Sequence, residues 1–111
     1  MVELDQVREI ALSLPEAAEA PHFERMSFRV SGKIFATAPP DGGHLNVMVD
    51  EPEVRSAVER HPGWCRELWW GKRLSGVRVE LAEADPGTVR ELLEEAWRMR
   101  APKRAIAALD R

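Results

Sequence analysis

Apolar residues enter the chain at Val7, Ile10, Ala11 and Leu14, a spacing of three and four that collects them on one side of a helix. The pattern predicts an amphipathic helix over 4–14, closed by Pro15. A polar, acidic link, PEAAEAPHFE, follows. The period then drops to two. Met26, Phe28 and Val30 alternate with Arg25, Ser27 and Arg29, as in a strand with one buried and one solvated face. Ser31-Gly32 is a two-residue hairpin signal, and KIFATA at 33–38 is the returning strand. PPDGG makes a longer turn, after which HLNVMV supplies a third strand with Leu45, Val47 and Val49 inward.

Asp50 is placed to cap a helix over 51–61 with Val54, Ala57 and Val58 inside, ended by Pro62-Gly63. Residues 67–70 read as a short strand, GKRLSG at 71–76 as a turn, and VRVEL at 77–81 as another strand. Asp85-Pro86 is an N-cap followed by proline at the first helical position. It opens a long helix with the apolar stripe Val89, Leu92, Leu93, Ala96 and Trp97. Pro102 interrupts this helix, and KRAIAALDR adds a further turn or two. The order helix, three strands, helix, one or two strands, helix specifies an α+β fold: an antiparallel sheet flanked by N-terminal, central and C-terminal helices. No repeat, linker or low-complexity segment divides it, so 1–111 reads as one domain.

Composition narrows the class. The apolar fraction of 44% and charged fraction of 32% suit a globular chain. No apolar run approaches the roughly 20 residues that cross a bilayer, and MVELDQVREI is acidic and amphipathic, unlike a secretory or transit signal. Cys65 is the single cysteine, which excludes an internal disulfide and fits a reducing, cytoplasmic setting. The net charge of −3 argues against nucleic-acid binding by bulk charge. Within it the first sixty residues are the acidic part, and the remainder is mildly basic.

Candidate chemistry concentrates in GWCRELWWGKR at 63–73, where Trp64, Trp69 and Trp70 interleave with Arg66, Lys72 and Arg73. Such aromatics can close a core, stack on bases or anchor a protein interface. An extended segment sends Trp69 and Trp70 to opposite faces, so one is expected buried and the other exposed. At least two of the three indoles are expected to pack into the core. On the sheet, alternation sends Arg25, Arg29, Lys33, Asn46 and Arg78 to the face away from Met26, Phe28, Val47 and Val79. That face is either a nucleic-acid or anion platform or an ordinary solvated surface, with Glu24 and Glu80 offsetting charge. Arg98, Arg100, Lys103 and Arg104 form a second basic cluster, which either complements a helix dipole or contacts phosphate from a helix end or an ordered C-terminal tail.

Catalytic signals are lacking. His22, His44 and His61 are far apart, Cys65 has no CxxC partner, and no HExxH, GxGxxG, P-loop or GxSxG occurs. No catalytic residue, metal or cofactor is expected.

The stretches FRVSGKIFAT (28–37), DEPEVRSAVERHPG (50–63), GVRVELAEADPGTVRELLEEAW (76–97) and RMRAPKR (98–104) resemble the MmcQ/YjbR-like family of small bacterial proteins. The resemblance implies a compact α+β fold with a frataxin-like (CyaY-like) arrangement. It also carries a DNA-binding role proposed for some members. Many members have a Lys-x-His-Trp-like stretch before the last strand, where this chain reads Lys72-Arg73-Leu74.

Together these readings describe a non-enzymatic binding protein. The leading expectation is a nucleic-acid-binding or regulatory module using Arg25, Arg29, Lys33, Trp69, Trp70, Lys72, Arg73 and Arg78. The competing one is a protein-interaction or small-ligand module, with the Trp patch as a homodimer or partner surface.

Overall fold

The computed structural model describes residues 1–111. The elements run α1 (Leu4–Leu12), β1 (Ala17–His22), β2 (Arg25–Val30), β3 (Lys33–Ala38), β4 (His44–Val47), α2 (Glu51–Arg60), β5 (Cys65–Trp70), β6 (Arg73–Glu80), α3 (Pro86–Arg98) and α4 (Lys103–Leu109). The six strands form one sheet in the order β1-β2-β3-β4-β6-β5, and every pairing is antiparallel. The α+β architecture expected from the periodicity is therefore present.

Local chemistry explains the element ends. Ser31 and Gly32 both have positive φ, 51° and 76°, which a tight two-residue hairpin with right-handed strand twist demands. Asp50 and Asp85 cap α2 and α3 through their side chains, accepting from the N–H groups of Glu53 and Thr88. Each cap satisfies a donor that the helix itself leaves free.

Two segments differ from expectation. The acidic link contains β1, paired to β2 from Ala17↔Val30 to His22↔Arg25. Its residues lack a clean alternation of apolar and polar positions, and β2 supplies the hydrogen bonds that order it. Pro21 is tolerated because β1 is an edge strand. The supposed turn at 71–76 is mostly strand, since β6 begins at Arg73 and pairs with β5 as far as Trp70↔Arg73.

The helices cover one face of the sheet. Val7, Ile10 and Ala11 of α1, Val54 and Ala57 of α2, and Val89, Leu92, Leu93, Ala96 and Trp97 of α3 join Phe28, Val47, Val77 and Val79 in a single buried cluster. Trp97 is fully buried and its indole N–H donates to the Pro15 carbonyl at 3.0 Å, so the ring packs while its one polar group stays satisfied. The expectation that two indoles of the 64–70 segment enter the core fails. Trp64 is only partly buried against the core, and Trp69 and Trp70 are 50% and 60% exposed. Trp97, Phe28 and Phe35 supply the aromatic core instead.

Candidate functional site

The sheet's other face forms an open groove of about 1450 Å³. Strand register sets its floor. Ser27 pairs with Thr37, Thr37 with Asn46, Asn46 with Arg78, and Arg78 with Arg66. One polar row thus crosses the sheet from β2 to β5. Bulges follow Phe28 and Leu68, and such irregularities re-aim side chains and increase twist.

Five arginines line the groove: Arg25 and Arg29 of β2, Arg73 and Arg78 of β6, and Arg100 just beyond α3. Three carboxylates also line it, Glu24, Asp50 and Glu51. Two of those are engaged elsewhere, Asp50 in capping α2 and Glu51 with Arg55 at 2.6 Å. Among the five arginines only Arg78 has a carboxylate partner, Glu80 at 2.9 Å. Arg29 donates from Nε to Ser27 Oγ at 3.0 Å, while Ser27 Oγ donates to the Ala20 carbonyl. Its Nη2 lies 3.5 Å from His22 Nδ1. Arg25 Nη1 lies 3.5 Å from His44 Nε2. Arg100 donates to the Met48 and Ala96 carbonyls at 2.8 and 3.2 Å, and burial lowers its pKa.

His44 is held below the ordinary imidazole pKa, first by burial and then by Arg78 and Arg25, with Glu80 and Asp41 opposing. Of these causes, Arg78 and Arg25 are the ones that would also favour an anion placed beside them. Aromatic rings stand at the groove's two ends. Trp70, next to the β5–β6 turn, and Phe23, at the β1–β2 turn, both line it from opposite edges of the sheet. Phe23 is 94% exposed and holds φ at 57°, a left-handed conformation unusual for a bulky residue. Its ring meets His22 edge-on at 4.8 Å.

Of the residues marked from sequence, the fold brings Arg25, Arg29, Trp70, Arg73 and Arg78 into the groove. Lys33 and Lys72 are exposed beside hairpin turns and do not line it. Trp69 lies on the other face, its indole N–H donating to Glu67 at 3.4 Å. The two indoles do diverge, as alternation requires, but neither is buried, because β5 is an edge strand and α2 does not cover its end. His22, Phe23, Thr37 and His44 join the groove without having been placed on it from sequence, and Arg100 joins it from the second basic cluster. The alternation of β3 and β4 could have found Thr37 and His44, whereas Phe23 and His22 depended on recognising β1.

The second basic cluster is largely consumed by structure. Arg98 pairs with Asp110 and Glu94, and Arg104 with Glu16. His61 stacks on Trp64 at 4.4 Å, away from the other two histidines. Burial pushes the Cys65 thiol up to about 11, which leaves it protonated and poorly nucleophilic. No three His, Cys, Asp or Glu side chains converge to hold a metal.

A helix-backed antiparallel sheet whose free face is a polar, arginine-lined groove defines a class of small α+β protein with one open polar surface. The chain belongs to the YjbR family, whose model matches residues 12–99. It is 31% identical to the uncharacterized protein Rv2570 of Mycobacterium tuberculosis, over an alignment 127 positions long that covers 97% of this chain and 95% of that one. The uncharacterized protein Mb2600 of Mycobacterium bovis matches to the same extent. In fold it is similar to the crystal structure of Deinococcus radiodurans protein DR2400, described by the domain DUF419. The TM-score is 0.76 at 21% identity, over 89% of this chain and 78% of that one.

Proposed function

We propose that the protein binds single-stranded nucleic acid in the groove on the open sheet face, without catalysing a reaction. The observation that carries this reading is the convergence of five arginines, four without a carboxylate partner, on one concave surface. Unpaired guanidinium groups suit phosphate oxygens because they are planar and donate in pairs. Trp70 and Phe23 offer faces on which bases can stack, an interaction of roughly 1–3 kcal/mol per base. From β2 to β5 the groove crosses four strand spacings, roughly 19 Å at 4.8 Å each, longer than one nucleotide. The chain's acidic total does not oppose this reading, because steering depends on the local field.

Intrinsic tryptophan fluorescence provides the test. Random single-stranded DNA and RNA are titrated at about 50 and 200 mM salt, a range over which phosphate contacts weaken strongly, with duplex DNA as comparison. A saturable quench that weakens with salt and is lost in Trp70→Ala is expected. No response to any of the strands overturns the reading.

A protein partner or second copy at the edge of β5 is the alternative, supported by the exposure of Trp69 on the face away from the groove. Light scattering separates the two. A dimer that Trp69→Ala dissociates assigns that side of β5 to assembly.

A further inference from the structure

One margin of the groove gathers cations that no carboxylate neutralises. His22 ends β1, Arg25 begins β2, His44 begins β4 and Glu80 ends β6. Pairing sets His22 opposite Arg25 and His44 opposite Glu80. His22, Arg25 and His44 all line the groove, so they stand where it meets the margin of the sheet. Trp70 and Arg73 line it at the opposite margin, where β5 ends and β6 begins. A single strand laid between the two aromatic ends, Phe23 and Trp70, therefore terminates beside the histidines.

Arg29 reaches the same place from further along β2. Its Nε donates to Ser27 Oγ at 3.0 Å, and Ser27 is itself fully buried and anchored to the Ala20 carbonyl. With that anchor, Nη2 of the guanidinium lies 3.5 Å from His22 Nδ1. Arg25 Nη1 lies equally far from His44 Nε2. Both approaches are longer than an ordinary hydrogen bond, and neither arginine pairs with a carboxylate. The carboxylates that act on His44 are engaged themselves, Glu80 with Arg78 and Asp41 with the Gly43 N–H.

The ligand's chemistry follows from these groups. Guanidinium groups have only donors to give, so the site takes an oxygen-rich anion. His44 resists protonation, first through burial and then through Arg78 and Arg25, and a second negative charge relieves the arginines' field. An internal phosphodiester brings one charge. A phosphomonoester brings about −1.5 to −2 at pH 7, with three acceptor oxygens. On a nucleic-acid strand that group occurs only at an end, and this cluster stands at an end of the groove.

Building on the single-strand reading, we infer that His22, Arg25, Arg29 and His44 receive the terminal phosphate of the bound strand, with Arg25 and Arg29 donating to its oxygens. The protein thereby reads strand ends, and the body of the strand runs toward Trp70.

The test uses one internally labelled 12-nucleotide DNA sequence in three forms: 5′-phosphorylated, 3′-phosphorylated and hydroxyl-ended. Each is titrated into the wild type, Arg25→Gln and Arg73→Gln, and thermal melts establish that the variants are folded. The wild type is expected to bind one phosphorylated form about tenfold more tightly than the hydroxyl-ended strand, the scale of one charge-assisted hydrogen bond. Arg25→Gln removes that preference, whereas Arg73→Gln weakens all three forms alike and keeps it. If the wild type binds the three forms equally, or Arg25→Gln keeps the preference, the terminal-phosphate assignment fails and the groove reading stands. A nucleoside monophosphate, added as competitor, separates a strand end from a free phosphomonoester. Competition as tight as the phosphorylated strand's own binding assigns the cluster to a small ligand and overturns the strand-end inference. If the wild type binds none of the three forms, both readings fall together.

Discussion

Individual residues divide sharply by what surrounds them, and the tryptophans show it best. Trp97 is enclosed and hydrogen-bonded, so Trp97→Ala opens a cavity and strands the Pro15 carbonyl. A loss of about 3–5 kcal/mol in urea unfolding is expected. Trp70 is more than half exposed, and Trp70→Ala should alter stability by no more than about 0.5 kcal/mol while removing the fluorescence response to ligand. His44 gives a pH signature. Its folded pKa is lowered by burial, Arg78 and Arg25, against Glu80 and Asp41. The unfolded chain therefore takes up this proton at a higher pH than the folded one. The stabilising contribution is complete above about pH 6.5, the ordinary imidazole value, and is lost as pH falls toward the lowered one. Melting curves between pH 5 and 7 should fall on the acid side, and His44→Gln should flatten that limb. A bound phosphate offsets the field of the two arginines, so anion affinity should rise over the same acid interval. An acid limb of equal depth in His44→Gln contradicts this account.

At the scale of elements, the junction of β4 with β6 sets the groove's shape. A Cβ on Gly76 would run into the Val47 carbonyl oxygen, so the two strands approach there as only glycine allows. Gly76→Ala must push β6 away from β4, and with it Arg78 and the β5–β6 hairpin that carries Trp70. The expected loss is about 1–3 kcal/mol, the usual range for overpacking a filled site, together with weaker ligand binding. Denaturant unfolding and the fluorescence titration check both effects. Gly63, whose Cβ would meet nothing within 4 Å, is the control, and Gly63→Ala should leave binding intact. Equal stability for the two variants removes the close-approach explanation.

The whole molecule carries a net charge of −3 yet gathers five arginines and three carboxylates on one surface. Four of the other eleven cations pair with carboxylates, Arg8 with Asp5 and Glu19, Arg55 with Glu51, Arg98 with Asp110 and Glu94, and Arg104 with Glu16. The groove is thus a local cationic field in an acidic protein, a distribution that favours specific over diffuse binding of polyanions. Replacing Arg25, Arg29 and Arg73 together by glutamine should reduce the salt slope for a single strand by about 2, given roughly 0.7 per phosphate contact. The triple variant should retain its fold, because none of the three side chains pairs with a carboxylate. An unchanged slope would mean that these arginines do not touch phosphate.

Sequence periodicity alone determined the helices and most of the strands. The stripes of α1, α2 and α3 and the alternation of Met26, Phe28 and Val30 each follow from side chains that must reach one core, and that requirement is written locally. The same alternation placed Arg25, Arg29, Asn46 and Arg78 on a common face. Tertiary structure decided the rest. β1 exists because β2, just beyond a two-residue turn, lends it hydrogen bonds, and backbone pairing at a sheet edge leaves no apolar alternation in its composition. Trp69 and Trp70 are exposed because their strand lies at the sheet's edge, a matter of strand order. Asn46 looks like an ordinary outward-facing polar residue in the sequence. Only tertiary packing buries its side-chain oxygen without a hydrogen-bond partner, because burial is a property of neighbours.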